Sequence, residues 1–205
     1  MVGFERLLAG RRAGAGAAAG AGTGREAGEW EVQQLPAEVV LPPEDGDTFA
    51  ANAGKKASEV ARRLKSWVIA DDSGLCVDAL GGAPGVYSAR FAGENASDHD
   101  NLHKLLAELH GVHAEFRQAR YHCVIVFVRT ANDPDPVIAH GKWEGQIILE
   151  PRGSGGFGYD PVFQPAGLHS TAAQLTPEEK NKISHRAQAL LALVAELREK
   201  GIAGT

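Results

Sequence analysis

Two adjacent carboxylates, Asp71 and Asp72, interrupt an apolar stretch in the segment IADDSGLCVD. Adjacent like charges repel, and the burial of either one without a partner costs free energy. A compensating group is therefore expected: a metal ion, a cationic group of a ligand, or water. Glu44 lies in a second acidic segment, PPEDGD, together with Asp45 and Asp47. Carboxylate oxygens are ligands that Mg²⁺ prefers, so these five acids form a candidate metal site.

A simpler interpretation of these acids stays open. Asp45 and Asp47 are typical of a solvated turn, and one member of the Asp71–Asp72 pair could cap the turn that follows it. The residue types favour solvation for the two loop acids and do not decide between the two interpretations for the pair.

The glycine-rich segment GSGGFGYDPVF is a second candidate. Its glycines permit close backbone approach and positive φ angles. Phe157 and Tyr159 could stack on a planar base, and Asp160 could accept hydrogen bonds. The alternative is an ordinary turn whose aromatic rings pack into the core, and it suits Tyr159 better than Phe157. No Gly-Lys-Ser/Thr follows, so the segment is not a Walker A loop.

Cationic side chains occur in two further segments. Lys180, His185 and Arg186 lie near a predicted helix start in EEKNKISHR, where cations and free N–H groups suit an anion. The Arg186 guanidinium could also donate a fork of hydrogen bonds to a carbonyl oxygen. Lys55 and Lys56, in NAGKKASEVARR, could reach a phosphate group. The alternative for the lysines is a solvated basic face of an amphipathic helix.

Helices and strands must bring these side chains together. Apolar residues at helical spacing predict a helix that Thr48 caps and that runs to about Leu64. WVIA predicts a short buried strand, which puts the Asp pair at the C-terminal end of a strand, where ligand sites of α/β proteins concentrate. YHCVIVFVR predicts a central strand, and PVIAHGKWEGQIIL predicts two strands around a Gly-Lys turn.

Three helix signals complete the predicted order. Asp98 is expected to cap a second helix, and the segment Thr176-Pro177-Glu178-Glu179 is typical of a helix start. The succession of strands and helices predicts an α/β fold with a mixed sheet. A last helix is predicted over about 184–200, with one apolar face formed by Ala187, Leu190, Leu191, Val194 and Leu197.

The bulk composition excludes several classes of partner. The chain has 205 residues, 43% of them hydrophobic, which suits one domain, or one domain with a small second lobe. A formal net charge of −5 disfavours non-specific binding to nucleic acid or to anionic membranes. No apolar run is long enough to span a bilayer, so we expect neither nucleic acid nor a membrane as a partner. Cys76 and Cys123 have no metal-binding spacing, so we expect buried, reduced thiols and a cytoplasmic protein.

Four segments together resemble the inosine triphosphate pyrophosphatase family: TFAANAGKKA, ADDSGLCVDALGGAPGVYSARFAG, GGFGYDPVF and LTPEEKNKISHRAQAL. They follow one another in the family's order, and the resemblance runs from about Trp30 to the C-terminus. It implies an elongated, two-lobed α/β fold around a long mixed β-sheet with flanking helices, and an active-site cleft between the lobes. It also implies a homodimer, dependence on Mg²⁺, and cleansing of the nucleotide pool by hydrolysis. The purine substrates it implies are the triphosphates of inosine, deoxyinosine and xanthosine (ITP, dITP and XTP), which are cleaved to the monophosphate and pyrophosphate.

The resemblance also implies a role for individual residues. Asp72 would be the general base, and Glu44, Asp71 and Asp72 would hold the Mg²⁺. The implied substrate-binding residues are Lys56 at the phosphates, Ser73, the base-binding loop Phe157, Gly158, Tyr159 and Asp160, and Lys180, His185 and Arg186 around the purine's 6-oxo edge.

The N-terminal region departs from the family pattern. The family opens with a strand and a Thr/Ser-x-Asn-x-x-Lys loop that grips the triphosphate, whereas MVGFERLLAG resembles the helix after that loop. We therefore expect a divergent, Gly/Ala-rich segment without this loop over 1–29, and the pyrophosphatase domain over 30–205. The alternative function is that of a catalytically impaired, N-terminally truncated homologue that binds nucleotide or only dimerises.

Overall fold

Six strands form one sheet, which is the frame of the molecule. The computed structural model describes residues 8–12 and 30–202, with side chains from Gln34 onward. The strands stand in the order β2-β1-β3-β4-β5-β6. Their bounds are β1 Leu8–Arg12, β2 Trp30–Gln34, β3 Trp67–Val77, β4 Gln118–Val128, β5 Val137–Ile147 and β6 Phe163–Pro165.

The α/β fold with a long sheet and flanking helices is confirmed, but the expected mixed pairing is not found. Every strand pair in the described residues is antiparallel. The chain leaves β3 at Val77 and re-enters the sheet beside it, where Val77 pairs with Ala119. Because the excursion begins and ends at the same end of the sheet, β4 must run antiparallel to β3.

Two strands are longer than predicted. β3 continues through the Asp pair for 11 residues, where the sequence predicts an end after WVIA. β5 is one strand of 11 residues, where two strands around a Gly-Lys turn are expected. Gly141 lies within β5 because α4 crosses it closely: a Cβ there would lie 1.9 Å from the carbonyl oxygen of His185. The glycine therefore serves helix packing and makes no turn.

Four helices flank the sheet. Thr48 caps α1 as predicted, with its hydroxyl accepting from the N–H of Ala51 at 3.1 Å. Ser97, and not Asp98, caps α2, because its hydroxyl and the carboxylate of Asp100 form a reciprocal capping box. The predicted start at Thr176 is confirmed. The helices are α1 Phe49–Leu64, α2 Asp98–Glu108, α3 Pro177–Ile183 and α4 His185–Glu199.

The helices divide the core into two lobes along the long strands. At one end, α1 covers one face of β3 and β4, and α4 covers the other face. At the other end, α2 and the segment after Tyr159 enclose a separate core around Leu75, Leu105 and Trp143. The two lobes meet in the middle of β3, where Asp71 and Asp72 lie. No helix in the described part of the chain is long and apolar enough to cross a membrane.

The buried face of α4 differs from the predicted one. Ala189, Leu193 and Leu197 are buried against β4 and β5. Leu190 and Leu191, which the sequence assigns to the apolar face, are 45% and 69% exposed. The helix is apolar nearly all round, so its sequence pattern does not define a single face.

The predicted N-terminal segment is only partly described. Leu8–Arg12 is a strand that pairs with both β2 and β3, where resemblance predicts a helix. The rest of 1–29, on which the predicted domain boundary depends, lies outside the described residues.

Candidate active site

Asp71 and Asp72 point to opposite faces of the sheet. Successive side chains of a strand alternate, so Asp72 faces α1, where Asn52 contacts it, and Asp71 faces α4, where Arg186 contacts it. The alternation separates the two charges and gives each its own hydrogen-bond donors. The repulsion expected between two adjacent carboxylates is therefore reduced without an ion bound between them.

Asp72 is buried, with 7% of its surface exposed. Its Oδ2 accepts a hydrogen bond from Nδ2 of Asn52 at 3.0 Å, and its Oδ1 accepts one from the N–H of Ser73 at 3.1 Å. Burial, reinforced by the charge of Glu44, raises the pKa of Asp72 to about 6, and it outweighs the opposing effect of Lys56 and these hydrogen bonds. A carboxylate with a raised pKa is a better proton acceptor than an ordinary one.

Lys56 is a buried cation between two acids. Its Nζ lies 2.6 Å from Oε1 of Glu44 and 3.8 Å from Oδ1 of Asp72. Burial alone would lower the pKa of Lys56, but the neighbouring carboxylates, Glu44 first among them, outweigh burial and raise it. The lysine therefore stays charged. The acidic loop is held from its backbone as well, since Arg90 donates to the carbonyl oxygen of Glu44 at 2.6 Å.

Glu44 and Asp72 suit a divalent cation. Both carboxylates contact the same ammonium group, so both are within reach of one small ligand. Mg²⁺ is usually held by one or two carboxylates, with water and substrate phosphates completing its shell, and these two acids fit that pattern. In residues 8–12 and 30–202, no cluster of three or more His, Cys, Asp or Glu side chains forms a ready-made metal cage.

Asp71 contacts the N-terminal turn of α4. Its Oδ2 accepts from Nε of Arg186 at 3.1 Å, and the thiol of Cys123 lies 3.9 Å from the same oxygen. The Asp71 side chain is 14% exposed and that of Arg186 is 31% exposed. The pair thus lies at the wall of a cleft, with its guanidinium partly open to solvent.

The glycine-rich loop is organised by Asp160, whose side chain is buried. Its Oδ2 accepts from the N–H of Phe157 at 2.9 Å and forms an ion pair with Lys180. Gly156 has a φ of +73°, and a Cβ there would lie 2.0 Å from the same oxygen. Only glycine permits this close approach, so the carboxylate both folds the loop and anchors a cation.

Two cations flank the ring of Phe157. Nζ of Lys180 lies 4.5 Å from the ring centroid, and Cζ of Arg186 lies 5.5 Å from it. The ring is partly exposed. Tyr159, by contrast, is buried in the core and donates from its hydroxyl to the carbonyl oxygen of Ser88 at 2.8 Å. The prediction that Tyr159 packs into the core while Phe157 remains available is therefore confirmed.

His185 is buried at the inner wall of the cleft, with 4% of its surface exposed. Its ring stacks on Tyr121, with the centroids 4.7 Å apart. Burial, together with the charges of Arg186, Lys180 and His122, holds the pKa of His185 well below its usual value, so the ring is neutral. Its Nδ1 is buried and has no hydrogen-bond partner among the described residues. A buried polar atom without a protein partner is uncommon, so this nitrogen is a candidate contact for a ligand.

One cleft connects these groups around the edge of β3. β1 pairs with β3 only over Trp67–Ile69, so the next residues of β3 have no strand neighbour on that side within the described part of the chain. Ser73 lies on this open edge, and its side chain shares the face of Asp71, two residues before it. The cleft is lined by Glu44, Lys56, Asp71, Asp72, Ser73, Gly74, Ser88, Ala89, Asp98, Asn101, Tyr121, Phe157, Gly158, Tyr159, His185 and Arg186.

The structure also places in the site two residues that the sequence does not predict as site residues, Asn52 and Asp98. Asn52 contacts Asp72, and its Oδ1 accepts from the N–H of Gly46 at 2.7 Å. Asp98 accepts from the N–H of Gly158 at 2.7 Å and so ties α2 to the glycine-rich loop. Asn52 precedes Lys56 by one helical turn, and this spacing is a signal in the sequence. Nothing local marks Asp98, because its partner is 60 residues away.

The fold and the cleft define an α/β protein that combines a carboxylate–ammonium cluster on one side of a strand with a cation-flanked aromatic loop on the other. The chain belongs to the Ham1 family, whose sequence model matches residues 21–196. The resemblance found in the sequence is thereby confirmed.

Curated relatives are similar over most of the chain. It is 56% identical over 167 residues to a dITP/XTP pyrophosphatase of Shigella flexneri, covering 82% of this chain and 85% of that protein. It is 52% identical over 168 residues to a dITP/XTP pyrophosphatase of Yersinia pestis, with the same coverage of 82% and 85%.

Solved structures show the same fold. A HAM1 protein from Coxiella burnetii matches with a TM-score of 0.75 and 48% identity, covering 78% of this chain and 82% of that one. A nucleoside-triphosphatase, or dITP/XTP pyrophosphatase, from Mycobacterium abscessus matches with a TM-score of 0.66 and 44% identity, covering 77% of this chain and 82% of that one.

Proposed function

We propose that this chain hydrolyses non-standard purine nucleoside triphosphates, namely those of inosine, deoxyinosine and xanthosine, to the monophosphate and pyrophosphate. Such an activity would remove these nucleotides from the precursor pool. The observation that carries the proposal is the two-sided cleft: groups suited to phosphates lie on the α1 side of β3, and groups suited to a purine lie on the α4 side. The names of the relatives in Shigella and Yersinia support the same reaction.

The α1 side has the groups that phosphoanhydride hydrolysis needs. The reaction requires a water in line with the bond, a base that orients or deprotonates it, and cations that offset negative charge. Asp72 is the proposed base, since it is buried and has a raised pKa. Lys56 is charged, and a phosphate group could replace one of its two carboxylate partners. We therefore assign Lys56 to the phosphates.

Glu44 and Asp72 would hold Mg²⁺ in this proposal. When bound, Mg²⁺ would offset the charge of the triphosphate and of the leaving pyrophosphate. The chain's own contribution is to hold the two carboxylates in place, through Arg90 on the backbone of Glu44 and Asn52 on Asp72. Lys56 balances their charge at the same point.

The α4 side can select a 6-oxo purine. Phe157 offers a ring face for stacking, with Gly158 and Ser73 near it in the cleft. Lys180 and Arg186 are donors, and the neutral ring of His185 has an unpartnered Nδ1. An adenine, with a 6-amino group in place of the oxygen, would leave donors unpaired, and such mismatches discriminate strongly. Guanine carries the same 6-oxo group, so its rejection must depend on its 2-amino group.

A homodimer and a cytoplasmic location are parts of the proposal. The exposed apolar side chains Ile183, Leu190 and Leu191 on α3 and α4 support a covered surface there. Both cysteines are free thiols, which suits a reducing compartment. The molar mass in solution, measured by light scattering, tests the dimer: a value of one chain would contradict it.

The experiment that tests the function is pyrophosphate release by this chain with Mg²⁺. The substrates are dITP, XTP, GTP and ATP, each compared with the Asp72→Asn variant. We expect release from dITP and XTP, little from GTP and ATP, and a loss of at least about 100-fold in the variant, since general bases contribute that much or more. Circular dichroism shows whether the variant keeps its fold.

Two results would contradict the proposal. Folded protein that releases pyrophosphate from none of the four nucleotides would favour the impaired homologue. In that case calorimetric titration with inosine monophosphate separates a nucleotide-binding protein from one that only dimerises. Undiminished release by Asp72→Asn would remove Asp72 from the role of base.

A further inference from the structure

We propose that Asp71 is a positioning residue for base recognition, and that it orients Arg186 and does not hold the metal. The inference rests on the proposed function and adds a specificity-determining carboxylate to it. It also changes the role that resemblance implies for this residue, which is that of a third Mg²⁺ ligand.

The first observation is the direction of the side chain. Asp71 faces α4, whereas Asp72 and Glu44 meet at Lys56 on the α1 side. The alternation of side chains along β3 produces this separation, and the ladder with β4 fixes its register through Asp71 opposite Ile125. Asp71 is therefore turned away from the pair of carboxylates, Glu44 and Asp72, that contacts Lys56.

The second observation is the way in which Asp71 holds Arg186. The carboxylate accepts from Nε at 3.1 Å, and among the described residues the terminal nitrogens of the guanidinium have no hydrogen-bond partner. A guanidinium held at Nε keeps its terminal N–H groups available in a fixed plane. That plane lies beside Phe157, because Cζ is 5.5 Å from the ring centroid. A base stacked on Phe157 would therefore meet donors already in position.

The third observation is that the other cation at Phe157 is held in the same way. Lys180 forms its ion pair with the buried carboxylate of Asp160. Each of the two cations beside the ring thus has one carboxylate partner from a different segment of the chain. Asp71 restricts the position of the Arg186 side chain in the same way that Asp160 restricts that of Lys180.

The test compares Asp71→Ala with the wild type in two assays. The first measures base preference in two ways. One is the ratio of kcat/KM for dITP to that for dATP, and the other is the affinity for inosine and adenosine monophosphates, measured by calorimetry without metal. The second is the Mg²⁺ concentration that gives half-maximal hydrolysis. We expect the inosine preference to fall about tenfold or more in both rate and affinity, and the Mg²⁺ requirement to stay within twofold of the wild type.

Four companion variants, one of them a double variant, make the result specific. Asp71→Asn, whose amide oxygen can still accept from Nε, should keep part of the preference. Arg186→Ala should lower the preference, and Asp71→Ala should add nothing further in the Arg186→Ala background. Glu44→Gln should raise the Mg²⁺ requirement and leave the preference unchanged.

Asp133→Ala is the matched control. It removes a comparable carboxylate–guanidinium pair, in which Asp133 contacts Arg129 at 2.6 Å in the loop after β4. It should leave both the preference and the Mg²⁺ requirement unchanged, because this pair is outside the cleft.

The results that would overturn the inference differ from those that would overturn the function. With an active wild type, an unchanged preference in Asp71→Ala, an additional loss in the Arg186→Ala background, or a raised Mg²⁺ requirement would refute the positioning role alone. A wild type that hydrolyses no nucleotide and binds no inosine monophosphate would refute both.

Discussion

Asn52 and Asp72 are joined by a buried hydrogen bond of 3.0 Å between the amide Nδ2 and the carboxylate Oδ2, although 20 residues separate them in the chain. The same amide accepts from the N–H of Gly46 at 2.7 Å. One side chain of α1 therefore connects the acidic loop that carries Glu44 to the strand that carries Asp72. The geometry of the proposed metal and base groups thus depends on a residue that does not itself line the cleft.

Substitution of Asn52 should therefore weaken both stability and turnover. We expect Asn52→Leu to lower the free energy of unfolding by about 3 kcal/mol, because it leaves Oδ2 of the buried Asp72 and the N–H of Gly46 without a hydrogen-bond donor or acceptor. Urea denaturation measures the change. Asn95 is exposed, so Asn95→Leu is the control and should change stability by less than about 0.5 kcal/mol. Equal effects of the two variants would contradict the role of Asn52.

A methyl group at Gly141 should be poorly tolerated. A Cβ there would lie 1.9 Å from the carbonyl oxygen of His185 and 2.4 Å from the backbone nitrogen of Ala189. Because these are backbone atoms, α4 must move away from β5, and we expect Gly141→Ala to cost about 3 kcal/mol. Gly54, inside α1, has open space around its Cα, so Gly54→Ala should instead stabilise by about 0.5 to 1 kcal/mol. Thermal unfolding of the two variants should shift in opposite directions.

Acid should destabilise the protein partly through Asp133. Hydrogen bonds from Arg129 hold the pKa of the Asp133 carboxyl well below its ordinary value of 3.8. A carboxyl whose pKa is lower when folded stabilises the protein above its unfolded pKa, and this stability is lost as the pH falls through the folded value. We expect Asp133→Asn to cost about 2 kcal/mol at pH 7 and progressively less below pH 4. Unfolding free energies at pH 7, 4 and 3 measure this, and a cost independent of pH would contradict it.

The link between α2 and the glycine-rich loop should affect substrate binding. Asp98 accepts from the N–H of Gly158 at 2.7 Å, beside the proposed base site. Asp98→Ala removes this bond, and we expect the KM for dITP to rise about tenfold, which corresponds to a loss of about 1.4 kcal/mol. Asp98→Asn retains an acceptor oxygen and should stay close to the wild type. If the KM rises equally in both variants, the charge of Asp98 matters and not its hydrogen bond. If it rises in neither, the link has no role in substrate binding.

The sequence predicts the helices of this protein better than it predicts the strands. Thr48 and Thr176 are local signals that the structure confirms, because a cap contacts residues within one turn. The continuation of β3 beyond Ala70 has no comparable local signal. Pairing with β4, from Val68 opposite Val128 to Val77 opposite Ala119, carries the strand through two charged residues. Long-range pairing therefore overrides the end of the apolar run.

The site is predicted in its residue types but not in its arrangement. Glu44, Lys56, the Asp pair and part of the glycine-rich loop line one cleft, as their chemistry suggests. Asp45 and Lys55 do not; they form an exposed ion pair with each other. Asp71 and Asp72 point to opposite faces because they lie inside β3. The sequence prediction ends this strand at Ala70, so it cannot predict the opposite directions of the two side chains. Gly141 is similar: its need for a small residue arises from α4, which is more than 40 residues further along the chain.

The open edge of β3 has a consequence for the behaviour of the protein in a crowded cell. Exposed strand edges can recruit strands of other molecules and start aggregation, and natural proteins protect them with charged side chains. Here Asp71 and Asp72 stand on the part of the edge that β1 leaves uncovered in the described residues. Variants that neutralise both acids would leave the stretch from Ala70 to Gly74 of this edge without charge. The carboxylates proposed for recognition and catalysis would thus also help to keep this edge from pairing with other chains.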